Sequence, residues 1–294
     1  MKKTLRYRTV HLEPTLVAVT TQPLPFDTAR VGLSHQLDFI APVKFGLTAE
    51  GTGCAIAEIA RVADPHDCEK LAGQALDGLE SWIDRGCPAN GEARWDGESP
   101  VIARDTADAA DLEITGSLDK IGWSWEAVGE ASYRVHATTD SGSIGRLEID
   151  RIGSNALRVS SVSTVRVSDV VAKEALAHFA LEANRRLRIA RLTVPDTDDE
   201  AMQLVWDAVA PAELPVSAIL PRLIEAVAFA RAETSLALVA LADECIANVY
   251  LDHRFPVRNK SGSRSVTDSA PAGAVPAEAG STIESDHHKK EQSR

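Results

Sequence analysis

Residues 178–194 read HFALEANRRLRIARLTV, and this stretch decides the fold because a helical pattern passes into a strand pattern without an intervening loop. Up to Asn184 the apolar residues keep the spacing of one helix face, and from Leu187 onwards they alternate with other residues as in a half-buried strand. We therefore predict a helix over residues 168–184, followed directly by a strand over residues 187–194.

The segments on either side of this stretch extend the pattern. Downstream, a strand over residues 202–209 pairs with residues 187–194 as a hairpin, and helical spacing predicts one long helix over residues 216–251. Upstream, alternation predicts a meander of strands over residues 123–139, 145–152 and 156–167.

A similar order of elements is found near the N-terminus. Strands over residues 5–12 and 15–21 precede a short helix that opens at Phe26, and a hairpin joins residues 43–48 to residues 54–62. A long helix follows, for which Asp64 is the expected N-cap and Gly86 the expected end. Each half therefore has the order strands, helix, hairpin, long helix.

These elements predict an α+β protein made of two similar halves, each with an antiparallel sheet. Residues 1–86 form the first half and residues 123–256 the second. Residues 87–122 are rich in turn formers and are predicted to be a linker, with a short helix near residues 106–112. Residues 257–294 have no aromatic residue and too few apolar residues for a core, so we expect a disordered C-terminal tail.

Composition narrows the class of partner and the compartment. A formal net charge of -12 argues against a nucleic-acid-binding protein, which needs an excess of Lys and Arg. The sequence has no run of about 18 apolar residues, so no membrane span is predicted. The segment after Lys3 contains Arg6 and Arg8 and lacks the apolar region of a signal peptide. The 4 cysteines are scattered, as expected of free thiols in a reducing compartment, and we expect a cytoplasmic protein.

The helix-to-strand stretch 178–194 and the closing segment 242–251, ADECIANVYL, resemble the type III secretion chaperone fold, and in particular the YbjN-type relatives of CesT-like chaperones. The resemblance covers residues 123–252 and, less closely, residues 4–86. It implies a non-catalytic fold whose sheet and neighbouring helices bind an extended segment of a partner protein. Because both halves lie in one chain, the usual homodimer could be replaced by an internal pseudo-dimer.

The densest basic cluster contains the first candidate binding residues. On a strand that begins near Leu187, Arg186 and Arg188 would share one face, and Arg191 follows three residues later. Such a face could bind an acidic peptide through bidentate arginine contacts. The alternative is a solvated strand face whose arginines pair with Asp and Glu.

Two tryptophans at the start of the second half are the other candidates. Trp123 and Trp125 alternate along one predicted strand, so both indoles face the same side. They could form an aromatic platform for a peptide, or they could pack into the core. We include both in the predicted partner-binding set.

Motifs for catalysis or cofactor binding are missing from the sequence. Neither a phosphate-binding glycine loop nor a nucleophile elbow is present, and the acidic loop at residues 196–200 lacks the glycine of a calcium-binding loop. His66 and Cys68 are not spaced as zinc ligands, and His35, His136 and His178 are isolated in the sequence. We predict no catalytic residues, no metal and no cofactor.

The sequence therefore favours a non-catalytic, chaperone-like module that binds a peptide or protein segment. Two alternatives stay open. The chain could be a homo-oligomeric structural or regulatory scaffold, or an enzyme acting on a small molecule at a site between the halves.

Overall fold

The computed structural model describes residues 7–12, 15–20, 23–39, 41–61, 64–85, 105–129, 131–139, 142–152, 156–167, 169–195, 200–211 and 213–254. The predicted tail 257–294, residues 87–104 of the predicted linker and the acidic loop 196–199 lie outside the described residues.

The first half contains a four-stranded antiparallel sheet in the order β1-β2-β4-β3. A short 3-10 turn, Gln36–Asp38, follows its first helix. The elements are β1 (Tyr7–Leu12), β2 (Thr15–Thr20), α1 (Phe26–Ser34), β3 (Val43–Leu47), β4 (Gly53–Ala60) and α2 (Pro65–Asp84).

Local signals in the sequence account for these elements. The β3–β4 hairpin turns at Gly51, whose φ of 78° lies in the left-handed region that glycine adopts without strain. The side chain of Asp64 accepts a hydrogen bond of 2.8 Å from the backbone N–H of His66, and Pro65 occupies the first helical position of α2. The predicted hairpin and the predicted N-cap are both confirmed.

Aromatic packing fills the core of this half. Trp82 on α2 contacts Phe39 edge-to-face, with ring centroids 5.2 Å apart, and lies 6.0 Å from Phe45 on β3. All three side chains are buried. The apolar stripe of α2 is thus directed onto the sheet, as its helical spacing predicts.

The second half contains a six-stranded antiparallel sheet in the order β5-β6-β7-β8-β10-β9. Helix α3 (Asp105–Ile121) precedes the sheet. The remaining elements are β5 (Ser124–Gly129), β6 (Ser132–Thr139), β7 (Gly142–Ile152), β8 (Ala156–Arg166), α4 (Val170–Arg186), β9 (Arg191–Thr193), β10 (Ala201–Pro211), α5 (Val216–Leu241) and α6 (Glu244–Arg254).

Four predicted boundaries differ from the structure. The predicted strand over residues 123–139 is two strands, separated by a turn at Ala131, whose φ is 57°. Helix α3 is longer than the predicted residues 106–112, because Ile114 and Leu118 are buried and α3 packs against α5. The predicted helix over residues 216–251 is two helices, since the carboxylate of Asp243 accepts the backbone N–H of Ile246 at 3.1 Å and starts α6.

The fourth difference concerns the helix-to-strand stretch at residues 178–194. Helix α4 ends at Arg186, and the strand β9 begins only at Arg191. The residues between them form a bend in which Ile189 has a φ of 64°. The predicted strand start at Leu187 is therefore wrong, and the helix and strand are joined by a tight turn.

The two halves repeat one topology. A helix separates β2 from β3 and β8 from β9, and a long helix follows β4 and β10, so the sheet orders β1-β2-β4-β3 and β7-β8-β10-β9 correspond strand by strand. Strands β5 and β6 and helices α3 and α6 are additions to the second half. The predicted α+β class with two similar halves is confirmed.

Helix α4 of the second half packs on strand β3 of the first. The approach is closest at Gly46, where a Cβ atom would lie 3.2 Å from the carbonyl oxygen of Leu181 and 3.4 Å from the backbone nitrogen of Arg185. The two halves therefore meet along β3, and their described residues belong to one compact unit.

Candidate functional site

The edge strand β3 is hydrogen-bonded by two side-chain amides. The backbone N–H of Phe45 donates to Oε1 of Gln36 at 2.7 Å, and Nδ2 of Asn184 donates to the carbonyl of Phe45 at 3.0 Å. Gln36 and Asn184 are both fully buried. Because these bonds satisfy the edge groups of Phe45, no further strand can pair at this residue.

The edge strand β9 uses the same two amides. The backbone N–H of Leu192 donates to Oδ1 of Asn184 at 2.6 Å, and Nε2 of Gln36 donates to the carbonyl of Leu192 at 3.1 Å. Each amide oxygen thus accepts from the edge strand of its own half, and each amide nitrogen donates to the edge strand of the other half. The contact between the halves is reciprocal.

A buried lysine continues this reciprocal pattern. Nζ of Lys44, on β3, donates to the carboxylate of Glu58 on β4 and to the carbonyl of Leu187 in the other half, and it lies 3.4 Å from the carbonyl of Ala190. Burial lowers the pKa of Lys44, and the neighbouring carboxylate of Glu58 acts in the opposite direction. The side-chain amine of Lys44 in the first half therefore binds the helix-to-strand bend of the second.

Arg191, at the start of β9, makes the corresponding contact in the other direction. Its guanidinium binds both carboxylate oxygens of Asp207 on β10 at 2.8 Å. The remaining N–H groups donate to three carbonyls around the start of β3, those of Phe39, Ala41 and Val43, at 2.7–3.1 Å. A second arginine, Arg158, donates to the carbonyl of Leu37 at 2.7 Å and lies 3.5 Å from Asp207. Arginines of the second half thus bind carbonyls of the first.

The bend that Lys44 contacts has a strained backbone. The N–H of Ala190 donates to the carbonyl of Arg188 at 2.6 Å around Ile189, whose φ is 64°. A hydrogen bond between residues i and i+2 around a positive φ is the rarer and more strained form of the γ-turn. A β-branched residue in this region costs about 1–3 kcal/mol, which the surrounding contacts must offset.

The structure separates the three predicted arginines. Arg186 is exposed in the last turn of α4, and Arg188 lies in the bend with its side chain 55% exposed and 3.6 Å from Glu58. Arg191 is 2% exposed, and its guanidinium bonds are directed to Asp207 and to carbonyls of the first half. The three do not form one strand face, because Arg186 is helical and Arg188 precedes the strand.

The two predicted tryptophans lie at the start of β5 and pack against the hydrophobic core, each partly buried. Nε1 of Trp125 donates to Asp119 of α3 at 2.9 Å, and its ring contacts Tyr133 edge-to-face with centroids 5.8 Å apart. Trp123 immediately precedes β5. The indole of Trp125 thus anchors β5 to the helix and strand beside it.

The tryptophans and arginines do not form a single site. Trp125 lies on β5 and Arg191 on β9, which are the two opposite edges of the six-stranded sheet. Neighbouring strands are about 4.8 Å apart, so these edges are separated by about 24 Å. One partner could contact both groups only by crossing the sheet.

Strand β5 is an open edge in the described part of the chain. It pairs only with β6, and the side chains from Glu126 to Gly129 are exposed. An irregularity between Ala127 and Gly129 limits the regular edge to Ser124–Ala127. The side chain of Glu126 accepts a hydrogen bond of 2.6 Å from Arg134 on β6, so one face of this edge is polar.

Sequence reasoning missed the residues that join the halves. Single charges in otherwise apolar strands were the available signal, because Lys44, Glu58 and Asp207 each interrupt a buried run. A buried charge needs a partner, so these residues could have been recognised as paired. Gln36 and Asn184 carried no comparable signal, since polar residues beside helix ends are common.

The isolated histidines have separate surroundings. Nδ1 of His35 lies 3.1 Å from Asp38, His178 stacks on Phe26 with centroids 4.4 Å apart, and His136 is exposed on β6. Within the described ranges, no group of at least three His, Cys, Asp or Glu side chains could hold a metal ion. None of the helices in these ranges has the length and apolar character needed to span a membrane.

Comparison with known proteins finds no matching family model and no matching curated protein. One solved structure that resembles this chain is that of YbjN, a candidate transcription regulator from E. coli. The similarity covers 42% of this chain and 89% of the YbjN chain, at 15% sequence identity and a TM-score of 0.32. A similarity at this level supports no argument on function. The chain thus has a weak, fold-level similarity to a YbjN structure.

Proposed function

We propose that this protein is a non-catalytic binding module that holds an extended peptide segment of another protein at the open edge of β5. The observation that carries the proposal is the difference between the two edges of the six-stranded sheet. Leu192 on β9 is hydrogen-bonded by Asn184 and Gln36, whereas among the described strands β5 pairs only with β6. An added strand therefore finds free backbone groups at β5.

The faces of β5 define the kind of peptide. On one face Trp125 packs against Tyr133, which offers apolar contacts to side chains of an added strand. On the other face Glu126 and Arg134 form an ion pair that favours polar neighbours. Because successive side chains of a strand point to opposite faces, the peptide should alternate apolar and polar residues over about four positions.

The reciprocal contacts between the halves support an internal pseudo-dimer. Lys44 binds carbonyls of the second half and Arg191 binds carbonyls of the first, while Gln36 and Asn184 exchange amide contacts. We infer that these contacts take the place of a homodimer interface. As the wider form of our proposal, the chain is a cytoplasmic, chaperone-like protein of the kind that the YbjN-type resemblance implies.

The test uses proline, which removes one backbone N–H without adding charge. Alternate residues of an edge strand direct their N–H groups outwards, so of Glu126→Pro and Ala127→Pro one removes an outward donor and the other a donor to β6. Thermal melting identifies the variant that keeps the fold. Both variants and the unmodified full chain are then screened against a displayed library of short extended peptides.

We expect the full chain to enrich alternating apolar and polar peptides, and the folded proline variant to lose at least ten-fold in affinity. Enrichment of no peptide, or equal affinity for the folded proline variant, would sink the proposal. Light scattering adds a separate outcome. If the full chain is a dimer and the same proline variant dissociates it, a second copy of the chain occupies β5. That outcome would support a homo-oligomeric scaffold and would contradict peptide binding.

A further inference from the structure

Helix α5 carries an exposed apolar stripe that is separate from β5. Phe229 is 60% exposed, Leu236 84% and Val239 63%. The spacing of seven and then three residues places these side chains on one face, and Ala232 lies between them. The opposite face of α5, which includes Val227, Ala230, Thr234 and Leu238, is buried.

The stripe is larger than the scattered apolar exposure of an ordinary surface. Phe229 and Val239 are ten residues apart, which is about 15 Å along a helix. Isolated exposed apolar residues need no explanation, whereas a contiguous row of large ones marks an interaction surface. The length and straightness of the row fit the apolar face of a second helix.

Acidic residues border the stripe. Glu225 lies one turn before Phe229, and Glu233 lies between Phe229 and Leu236 on one flank; both are exposed. Asp243 and Glu244 are exposed beyond the C-terminal end of α5. The nearest basic residue on this face, Arg222, is half-buried and lies beyond Glu225. The border is thus mainly negative, in a chain whose formal net charge is -12.

We infer that the stripe of α5 binds an amphipathic helix of another protein whose apolar face is flanked by lysine or arginine. Apolar contacts with Phe229, Leu236 and Val239 would supply the affinity, and the acidic border would select the charge and raise the association rate. This surface differs from the β5 edge in position and in the conformation of its partner.

The acidic border disfavours two other occupants. In a two-fold antiparallel pair of α5 helices, the centre of the stripe falls next to Glu233, so Glu233 of each copy would face the other copy's Glu233. A membrane surface is disfavoured as well, because membrane-bound amphipathic helices place basic residues beside their apolar face to meet anionic lipids.

The probe is a synthetic 18-residue helical peptide with leucine on one face and lysine on both flanks, and a glutamate-flanked peptide is its counterpart. Binding to the full chain is measured by fluorescence anisotropy at two salt concentrations. Leu236→Glu tests the stripe and Glu233→Lys tests the border. Val170→Glu is the matched control, because Val170 is a 76% exposed apolar residue on a different helix.

We expect the lysine peptide to bind, and to bind at least ten-fold more tightly than the glutamate peptide. Leu236→Glu should weaken the binding ten-fold or more, whereas Val170→Glu leaves it unchanged. Glu233→Lys should reduce the preference for the lysine peptide. The proline variants of β5 should bind the lysine peptide normally, which separates this surface from the proposed peptide edge.

Three results would overturn the inference. The first is equal binding of both peptides, or equal effects of Leu236→Glu and Val170→Glu. The second is a dimer of the full chain that dissociates on Leu236→Glu, which would assign the stripe to a second copy. The third is co-sedimentation with phosphatidylglycerol vesicles that Leu236→Glu abolishes, which would assign it to a membrane surface.

Discussion

The amide nitrogen of Asn184 lies 3.4 Å from the amide oxygen of Gln36, and together these side chains bond backbone groups of Phe45 and Leu192 on the edge strands of both halves. Each residue belongs to a different half, since Gln36 lies in the 3-10 turn after α1 and Asn184 lies in the last turn of α4. This pair joins the edge strands of the two halves, so substitutions of Gln36 and Asn184 test how much the contact between the halves contributes to stability.

Removing either amide should destabilise the protein strongly. Gln36→Leu leaves the N–H of Phe45 without its acceptor, and Asn184→Leu leaves the N–H of Leu192 without its acceptor. An unsatisfied buried group costs about 1–3 kcal/mol, so we expect a loss of about 2–4 kcal/mol in each variant. Urea unfolding measures the loss.

The two losses should also be coupled, since the amides share partners, and the double variant should lose less than the sum of the single variants. Gln203→Leu and Asn248→Leu change exposed residues of the same types and serve as controls. Strictly additive losses, or losses no larger than those of the controls, would contradict the shared role.

The Lys44–Glu58 pair should be intolerant of single substitutions. Lys44→Met leaves the buried carboxylate of Glu58 without its closest cation, and breaking a buried pair in this way costs about 3–5 kcal/mol. Combining Lys44→Met with Glu58→Gln removes the unpaired charge, so the double variant should be more stable than Lys44→Met alone. Lys70→Met, at an exposed site on α2, should change the stability by less than about 0.5 kcal/mol.

Glycine should be the better small residue at position 189. Ile189 has a φ of 64°, where alanine remains strained and glycine does not. We therefore expect Ile189→Gly to be more stable than Ile189→Ala by about 1 kcal/mol, although both lose the packing of isoleucine. In the middle of α5, Ala232→Gly should instead lower the stability by about 1 kcal/mol. If the same residue, glycine or alanine, gave the more stable protein at both positions, the result would argue against the γ-turn.

The space around two glycines predicts opposite effects of substitution by alanine, because Gly46 packs closely against α4 and Gly78 does not. Gly46→Ala places a Cβ 3.2 Å from the carbonyl oxygen of Leu181, and because that atom belongs to the backbone, α4 must shift. We expect a loss of about 1–3 kcal/mol. Gly78 on α2 has open space at its Cβ position, so Gly78→Ala should raise the stability by about 0.5–1 kcal/mol. Thermal unfolding compares the two, and a neutral Gly46→Ala would contradict the packing.

The thiol of Cys54 should make stability depend on alkaline pH. Burial raises its pKa from 9.0 to about 11. The unfolded thiol therefore loses its proton at lower pH than the folded one, and the stability that this thiol contributes below pH 9 is lost as the pH rises towards 11. The loss is on the order of 1–3 kcal/mol. Cys54→Ala should show a shallower fall in urea midpoint from pH 8 to 11, and parallel curves would refute the assignment.

The order of elements could be predicted because the local signals agree with the fold. The hairpin at Gly51, the cap at Asp64 and the helical stripe of α2 are each set by neighbouring residues. Boundaries failed where a distant contact decided them. The bend after Arg186 depends on Lys44 of the other half, which binds the carbonyls of Leu187 and Ala190 and so favours a turn over an extended strand.

The predicted binding residues show the same division. Trp123 and Trp125 could be placed on or beside a strand from their alternation, but only the sheet order shows that this strand is an edge. Arg191 looked like part of an exposed basic face, because the sequence does not reveal that Asp207 lies opposite it on β10. The helical spacing over residues 216–251 predicts that the stripe of α5 is helical, and only burial separates its exposed face from its buried one.

By itself, therefore, the sequence determined the α+β class, the repeated order of elements in two halves and most helix and strand positions, since these follow from spacing and capping within a few residues. Only the tertiary structure decided which strand edges are used between the halves and which remain open. Those edges depend on hydrogen bonds between residues far apart in the chain, such as Gln36 and Leu192, and no local pattern encodes their meeting.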